Sequence, residues 1–321
     1  MDRKQLRKAM SPAGWISLIY FLLMTACVMV TMLVEMLISM IISLGTGSLS
    51  DMMSAAAAAA TSAWGYFVAV AVGILILLLW KKPRYWKEEI WAKGRPMEPG
   101  DFFGILCIFL AAQILYQVYF IVLELVLNVM GLTILEGLEA MDIAGSDSLS
   151  MFLYAGILAP VSEELLYRGL VQRTLMPFGK RLAILGSAFL FGVMHGNIMQ
   201  IPFAFLVGLV LGYVASEYSI AWAMLLHMIN NLVLGVIMAR MTAPLGDVAA
   251  GLITWGILIL AGIGAVVTLV RKRHEIRAWM HQNPFVPGYV GCFFGSAGII
   301  TFTIVMIVST IVTTFSMITW L

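Results

Sequence analysis

Long apolar runs separated by short polar loops dominate this chain. With about 20 apolar residues taken as one membrane crossing, the pattern predicts nine spans, near residues 14–43, 63–80, 101–131, 151–175, 182–197, 200–216, 219–240, 251–270 and 289–319. The first run, Trp15 to Leu44, is too long for the core of a cleavable signal peptide. The predicted fold is an all-α, polytopic transmembrane helix bundle of about eight or nine spans.

Composition agrees with this pattern. The 321 residues are 62% hydrophobic and 11% charged, with a mean hydropathy of +0.99, which excludes an ordinary soluble globular protein. The lipid bilayer is therefore the expected surrounding, and no nucleic-acid partner is expected. Cys27, Cys107 and Cys292 are scattered singly through apolar runs, so neither a disulfide framework nor a thiolate metal site is predicted.

The basic residues predict an orientation. Of the 19 lysines and arginines, 17 fall in segments that nine spans would place on one side, at residues 3–8, 81–95, 173–181 and 271–277. The opposite loops, at 44–62, 132–150 and 241–250, contain none. The positive-inside rule then places the N-terminus in the cytosol and, with nine spans, the C-terminus outside.

Several polar or unusual segments have structural interpretations. The segment 81–100 mixes aromatic and basic residues and is either a helix in the headgroup layer or a solvated connector. The six alanines at 55–60 favour helix that extends the second span, and the acidic residues between 136 and 147 favour a solvated loop over a cation site. Gln113 and Glu124 are expected to pair with neighbouring helices or to lie near an interface.

Ionisable groups within the fourth predicted span are the strongest functional signal. Glu163, Glu164 and Arg168 lie in an otherwise apolar run, where charge is costly and usually functional. Residues four apart share a helix face, so Glu164 is predicted to pair with Arg168 while Glu163 shares its face with Tyr167. Glu163 then has no adjacent cation on its own face of the helix and is the candidate general base.

Two further spans carry polar groups at the same spacing. Phe191 and His195 share one face of the fifth span, and His227 and Asn231 share one face of the seventh. An imidazole and a carboxamide one turn apart can both donate to one small anion, as an oxyanion hole requires. A carboxylate, two imidazoles and an amide in three spans predict one polar active-site cavity inside the membrane.

The three motifs carry a family resemblance. Glu-Glu-x-x-x-Arg at 163–168, Phe-x-x-x-His at 191–195 and His-x-x-x-Asn at 227–231 resemble the signature of the CPBP family. That family of glutamic intramembrane endopeptidases includes CaaX prenyl endopeptidases and bacteriocin-processing or immunity proteins. The resemblance extends over residues 151–240, with all motif positions matched.

The resemblance implies a water-mediated peptide hydrolysis. Glu163, assisted by His195, would deprotonate the attacking water, and His227 with Asn231 would stabilise the tetrahedral oxyanion. Glu164 and Arg168, supported by Tyr167 and Phe191, would hold the fourth span in position. A cytosolic approach is expected, to a site about 12 to 23 Å deep by helical rise.

No cofactor is expected. Glu163, Glu164, His195 and His227 are all acceptable zinc ligands, yet the chain has no His-Glu-x-x-His helix and Arg168 is the better partner for one carboxylate. The expected partner is a membrane-associated peptide or protein substrate, with prenylated proteins and leader peptides as the two candidate types.

Residues 1–321 are interpreted as a single membrane domain. Its predicted catalytic core is 101–240, with the motifs at 151–240 and peripheral spans at 1–100 and 241–321. Two other functions use the same residues: a non-catalytic membrane regulator or immunity protein with a polar packing network, and a proton-coupled transporter with Glu163 and the histidines as relay. The absence of an inverted repeat disfavours the transporter.

Overall fold

A bundle of helices forms the protein in a computed structural model, which describes residues 1–46, 53, 63–135, 149–232 and 241–321. The first four long helices are α1 Arg3–Thr46, α2 Trp64–Trp80, α3 Pro99–Val129 and α4 Leu149–Phe178. The next four are α5 Lys180–Met194, α6 Gln200–Glu217, α7 Ile220–Leu232 and α8 Asp247–Arg271. The last helices are α9 Arg273–Gln282, α10 Tyr289–Phe294 and α11 Ala297–Met317. The alanine run at 55–60, the acidic residues at 136–147 and Arg240 lie outside the described residues.

The predicted all-α membrane bundle is confirmed. Within the described residues, six helices, α1, α3, α4, α6, α8 and α11, are long and apolar enough to cross a membrane, and α2 and α7 are shorter apolar helices. The protein is a multi-pass integral membrane protein. Each of the nine predicted spans corresponds to helix in the structure, although α5, with 15 residues, is only about 23 Å long.

Two predicted boundaries differ from the structure. The fifth span was expected to continue to residue 197, but α5 ends at Met194 because the chain turns at Gly196, whose φ of 56° suits glycine. The ninth predicted span is divided at Gly295 and Ser296 into α10 and α11.

The two ends of the bundle are distinguished by contacts between loops. At the basic end, the backbone N–H of Gly94 donates to the carbonyl of Tyr218 at 2.6 Å, and Glu217 accepts from Lys180 at 2.7 Å and Trp279 at 2.8 Å. Three of the four basic segments that the charge pattern placed on one side therefore lie together, those near residues 81–95, 173–181 and 271–277. Which side of a membrane they face stays a prediction.

The opposite end carries a small antiparallel sheet. Strand β1, Leu132–Thr133, follows α3, and strand β2, Thr319–Trp320, follows α11. Leu132 pairs with Trp320 and Thr133 with Thr319. The pairing brings the end of α3 beside the C-terminus, as expected if both lie on the same side of the membrane.

The segment between α2 and α3 packs against α4. A π-helical turn, Tyr85–Glu89, buries Tyr85, whose hydroxyl donates to the carbonyl of Gly169, and the side chain of Ile90 is fully buried. Arg173 donates to the Ile90 carbonyl at 3.2 Å. Tyr85 and Ile90 therefore pack against the bundle, whereas Trp91 is 46% exposed. Whether the segment lies in the headgroup layer or is a solvated connector stays a prediction.

Helix α1 is locked to α11 by two glycines. A Cβ built on Gly14 would lie 2.2 Å from the backbone carbon of Gly298, and a Cβ on Gly298 would lie 2.2 Å from the carbonyl oxygen of Ser11. Only glycine allows the two backbones to approach so closely. This contact positions α1 beside α4 and its motif.

Candidate active site

Helix α4, which carries the first motif, contains two π-helical stretches. It is π-helical at Tyr154–Leu158, α-helical at Ala159–Glu164 and π-helical again at Leu165–Gln172. Pro160 lacks the N–H that an α-helix would direct to the carbonyl of Gly156, so regular winding cannot continue through this turn. Such π-helical segments occur frequently at functional sites, and here they flank the two adjacent glutamates.

Glu164 and Arg168 form the predicted ion pair. Arg168 Nη1 lies 2.8 Å from Glu164 Oε1, and both side chains have no exposed surface. Arg168 Nη2 donates to the carbonyl of Gly208 on α6 at 3.1 Å. A Cβ on Gly208 would lie 3.1 Å from Ala188 Cα, so the glycine also permits close packing of α6 on α5. The ion pair thereby joins α4 to the α5–α6 hairpin.

His227 is the second partner of Glu164. Its Nδ1 lies 3.0 Å from Glu164 Oε1, the oxygen that also accepts from Arg168, and its Nε2 lies 3.8 Å from Glu163 Oε2. The sequence pattern predicted only the arginine for Glu164. Because Glu164 Oε1 accepts a hydrogen bond from the Nδ1–H of His227, Nε2 is left to face Glu163.

Phe191 is the aromatic centre of the site. The Arg168 guanidinium carbon lies 4.5 Å from its ring centroid, and the rings of Tyr167, His195 and His227 meet it edge-on at 5.3, 5.0 and 5.7 Å. Phe191 is 2% exposed and Tyr167 is fully buried. These packing contacts fix the two imidazole rings relative to α4.

His195 caps the end of α5. Its Nδ1 lies 2.9 Å from the carbonyl oxygen of Phe191, one turn earlier. A carbonyl can only accept, so Nδ1 carries the proton and Nε2 of the neutral ring is an acceptor. The ring therefore offers a lone pair to the space beyond the helix end.

A cavity of about 580 Å³ contains both Glu163 and His195. The Glu163 side chain is 20% exposed, whereas Glu164 is fully buried. The structure thus separates the two adjacent carboxylates, as helical phase predicted. One reaches open space and the other is enclosed in an ion-pair network.

The cavity also has walls that the motifs did not indicate. They come from α1, the start of α2, the start of α4 and the start of α6, and they include Tyr20, Met24, Tyr66, Tyr154 and Gln200. Helices α1 and α2 had been assigned to the periphery, because neither carries a motif. The only sequence signal for Tyr20 was a tyrosine hydroxyl within an otherwise apolar run.

The cavity lies in the half of the bundle opposite to the one from which the cytosolic approach is expected. Tyr66, Met151 and Gln200 lie at the ends of helices farthest from the basic loops, and all three line the cavity. Counting depth along each helix gave the distance of Glu163 from the basic end, but not the direction in which open space lies. The cavity is in the half of the bundle away from the basic end.

Asn231 has partners of its own. Its Nδ2 donates to the carbonyl of Ala155 at 2.9 Å, and its Oδ1 accepts from Asn230 at 3.0 Å. Asn230 in turn accepts from Gln113 of α3 at 3.0 Å, which confirms that Gln113 pairs with a neighbouring helix. One amide proton of Asn231 is thus used to hold α7 against the π-helical turn of α4, and one remains for a ligand.

Metal ligation has little geometric support in the described part of the chain. No group of three or more His, Cys, Asp or Glu side chains lies close enough there to hold a metal ion. The carboxylate oxygen nearest to His227 already accepts from Arg168. The expectation of a site without a cofactor remains a prediction.

The fold and the site define a class: a polytopic membrane protein with a carboxylate and an imidazole in one intramembrane cavity. Residues 145–233 match the family described as type II CAAX prenyl endopeptidase Rce1-like. This region includes all three motifs and confirms the resemblance found in the sequence. No curated protein and no solved structure matches the chain. At the family level the match indicates an intramembrane CAAX endopeptidase.

Proposed function

We propose that this protein is an intramembrane endopeptidase in which Glu163 activates a water molecule. The observation that carries the proposal is the division between the two glutamates. Glu163 shares a cavity with His195, while Glu164 is buried between Arg168 and His227. A packing network alone would leave no reason for a partly exposed carboxylate opposite an imidazole inside the membrane.

In the proposed reaction, Glu163 accepts a proton from water as the water oxygen attacks the scissile carbonyl carbon. The acceptor Nε2 of His195 orients that water through its second hydrogen. The tetrahedral intermediate then collapses, the C–N bond breaks, and the proton held by Glu163 passes to the leaving amine. The hydroxyl group of the water ends in the new carboxyl group, and its proton ends in the new amine.

His227 and Asn231 would stabilise the oxyanion of the intermediate. His227 Nε2 is directed to the Glu163 side of the site, and Asn231 has one amide proton not used by Ala155. This role requires His227 to carry both protons, with Nδ1–H donating to Glu164 and Nε2–H to the oxyanion. Glu164 would then be a positioning residue that acts through His227 and Arg168.

Tyr20 is a further candidate for contact with the substrate. It lines the cavity on the α1 side, and its buried hydroxyl lies near the Ser162 hydroxyl and the Glu163 carboxylate. A buried hydroxyl is costly unless it is satisfied. A water or a substrate carbonyl in the cavity would satisfy it.

The substrate is proposed to be a membrane-associated peptide or protein with an extended segment at the cleavage site. The walls of the cavity are largely apolar, with Phe21, Met24 and Met194 among them, and flexible methionines adapt to side chains of different shape. Prenylated proteins and leader peptides remain the two candidate types. With the basic end in the cytosol, the cavity would be reached from the outer half of the bilayer.

The test is cleavage of a panel of prenylated and unprenylated membrane peptides by the purified full chain, compared with Glu163→Gln and His195→Gln. Both variants should lose cleavage while retaining the wild-type melting temperature. Full retention of cleavage by Glu163→Gln would contradict the proposal. Cleavage that persists after complete removal of metal ions would show that no metal is required.

A non-catalytic regulator is the alternative that one observation favours. Glu164, Arg168, His227 and Asn231 all make contacts that hold helices together, as expected of a packing network. Glu163 discriminates between the two functions, because a packing role predicts loss of stability on substitution and a catalytic role does not.

A further inference from the structure

A second cavity, of about 530 Å³, lies at the basic end of the bundle under the segment between α2 and α3. It is separate from the cavity of Glu163, with no lining residue in common. Its walls come from that segment, the second half of α4 and the end of α6. Polar groups predominate in it, including the side chains of Gln172, Thr174 and Ser216.

The charge of this cavity is one-sided. Three basic side chains that form no ion pair within the described residues line it, from Lys81, Lys93 and Arg173, against a single carboxylate, from Glu89. Lys81 lies 5.3 Å from the Tyr85 ring centroid, and Arg173 donates to the Ile90 carbonyl. The unneutralised cations favour an anion.

Arg168 and Gln172 also border the cavity, but their side chains are used within the bundle. The Arg168 side chain has no exposed surface and pairs with Glu164, and Gln172 donates to the Gly212 carbonyl and the Ser216 hydroxyl of α6. The groups free to meet a ligand in the cavity are therefore the other basic side chains.

We propose that this cavity binds a phosphate group. Phosphate oxygens accept from Lys81, Lys93 and Arg173, whose positive charges neutralise the anion. The volume exceeds that of inorganic phosphate, so the group is carried either by a soluble phosphate ester or by the headgroup of an anionic phospholipid. Basic pockets between membrane helices are suited to such headgroups.

The site and the proposed catalytic network share one bordering residue, Arg168, whose guanidinium is enclosed between Glu164 and the Gly208 carbonyl. The binding proposal does not depend on catalysis.

Phosphate binding is tested on the purified full chain in an uncharged detergent. The melting temperature is measured against sodium phosphate, against sodium chloride of equal ionic strength, and in mixed micelles with phosphatidylglycerol or phosphatidylcholine. The test variants are Lys93→Gln and Lys81→Gln, whose side chains form no ion pair in the described structure. Lys87→Gln is the matched control, because Lys87 is exposed on the same segment and does not line the cavity.

The expected result is a rise in melting temperature with phosphate or with phosphatidylglycerol, and not with chloride or phosphatidylcholine. A response to soluble phosphate identifies a soluble ester as the source, and a response to phosphatidylglycerol alone identifies a lipid headgroup. Each test variant should weaken binding by about tenfold, the loss of one charge-assisted contact. No response in the wild type to either phosphate source, or equal binding by the test variants and Lys87→Gln, would overturn the proposal.

Discussion

His227 Nδ1 and Arg168 Nη1 both contact one carboxylate oxygen, Oε1 of Glu164, at 3.0 and 2.8 Å. Through this atom, two residues 59 positions apart on α4 and α7 have a common acceptor. Glu164 therefore does more than neutralise an arginine. By accepting from Nδ1, it directs Nε2 of the His227 ring to Glu163.

Substitution of Glu163 should abolish cleavage without unfolding the protein. Glu163→Gln keeps the shape of the side chain and removes the general base, so kcat/KM should fall by about 10²- to 10⁴-fold. The melting temperature should stay at the wild-type value, since the side chain is partly exposed to the cavity. Glu98→Gln, at an exposed position before α3, is the control and should leave kcat/KM unchanged.

Loss of Arg168 should destabilise the whole bundle. Arg168→Met leaves the buried Glu164 carboxylate without its cation, which costs about 3 to 5 kcal/mol in buried pairs. The fraction of folded protein in detergent and its melting temperature should both fall. The double variant Arg168→Met with Glu164→Gln should recover part of the stability and none of the activity. Wild-type stability of Arg168→Met alone would argue against a buried charged pair.

Removal of the Tyr20 hydroxyl should affect catalysis and not folding. Tyr20→Phe deletes one donor facing the cavity, so kcat/KM should fall about tenfold, the effect of one hydrogen bond of roughly 1.4 kcal/mol. Tyr119→Phe is the contrasting variant, because its hydroxyl donates to the Ile198 carbonyl outside the cavity. It should lower the melting temperature and leave kcat/KM unchanged. An unchanged kcat/KM for Tyr20→Phe would show that the Tyr20 hydroxyl does not contact the substrate.

The close contact between α1 and α11 should tolerate no side chain. Gly14→Ala places a methyl group against the Gly298 backbone, and the overpacking should cost about 1 to 3 kcal/mol. Because α1 supplies one wall of the cavity, cleavage should fall with stability. Gly256→Ala is the matched control on α8, where a Cβ meets nothing within 4 Å. Thermal unfolding of Gly14→Ala and Gly256→Ala in the same detergent tests this, and an equal melting temperature for both would contradict it.

Stability in alkaline solution should depend on Lys272. Its hydrogen bond to Asp101 raises the pKa of Lys272 above its ordinary value. A raised lysine pKa contributes stability that is complete below the unfolded-state pKa and is lost as the pH rises through the folded-state pKa. The melting temperature should therefore fall above about pH 10.5, and Lys272→Met should lose this part of the dependence. Parallel curves for the two proteins would contradict the assignment.

Helical periodicity predicted the local relations of the site correctly. Spacing of four residues was enough to pair Glu164 with Arg168 and to separate Glu163 from both, because such contacts lie within one helix. It could not predict the bond between His227 and Glu164, which joins two helices. Nor could it predict that Asn231 contacts Ala155, since that contact depends on the π-helical turn of α4.

By itself, the sequence determined that the chain is a membrane helix bundle, which segments share an end, and where the three polar motifs of the matched family region lie. These follow from hydrophobicity, charge and helical spacing, which act locally along the chain. Only the tertiary structure decided where the space around Glu163 lies, because a cavity is bounded by side chains from α1, α2, α5 and α6 that are distant in sequence. It likewise decided that the buried Glu164 pairs with both Arg168 and His227, because α4 and α7 meet only in the folded bundle.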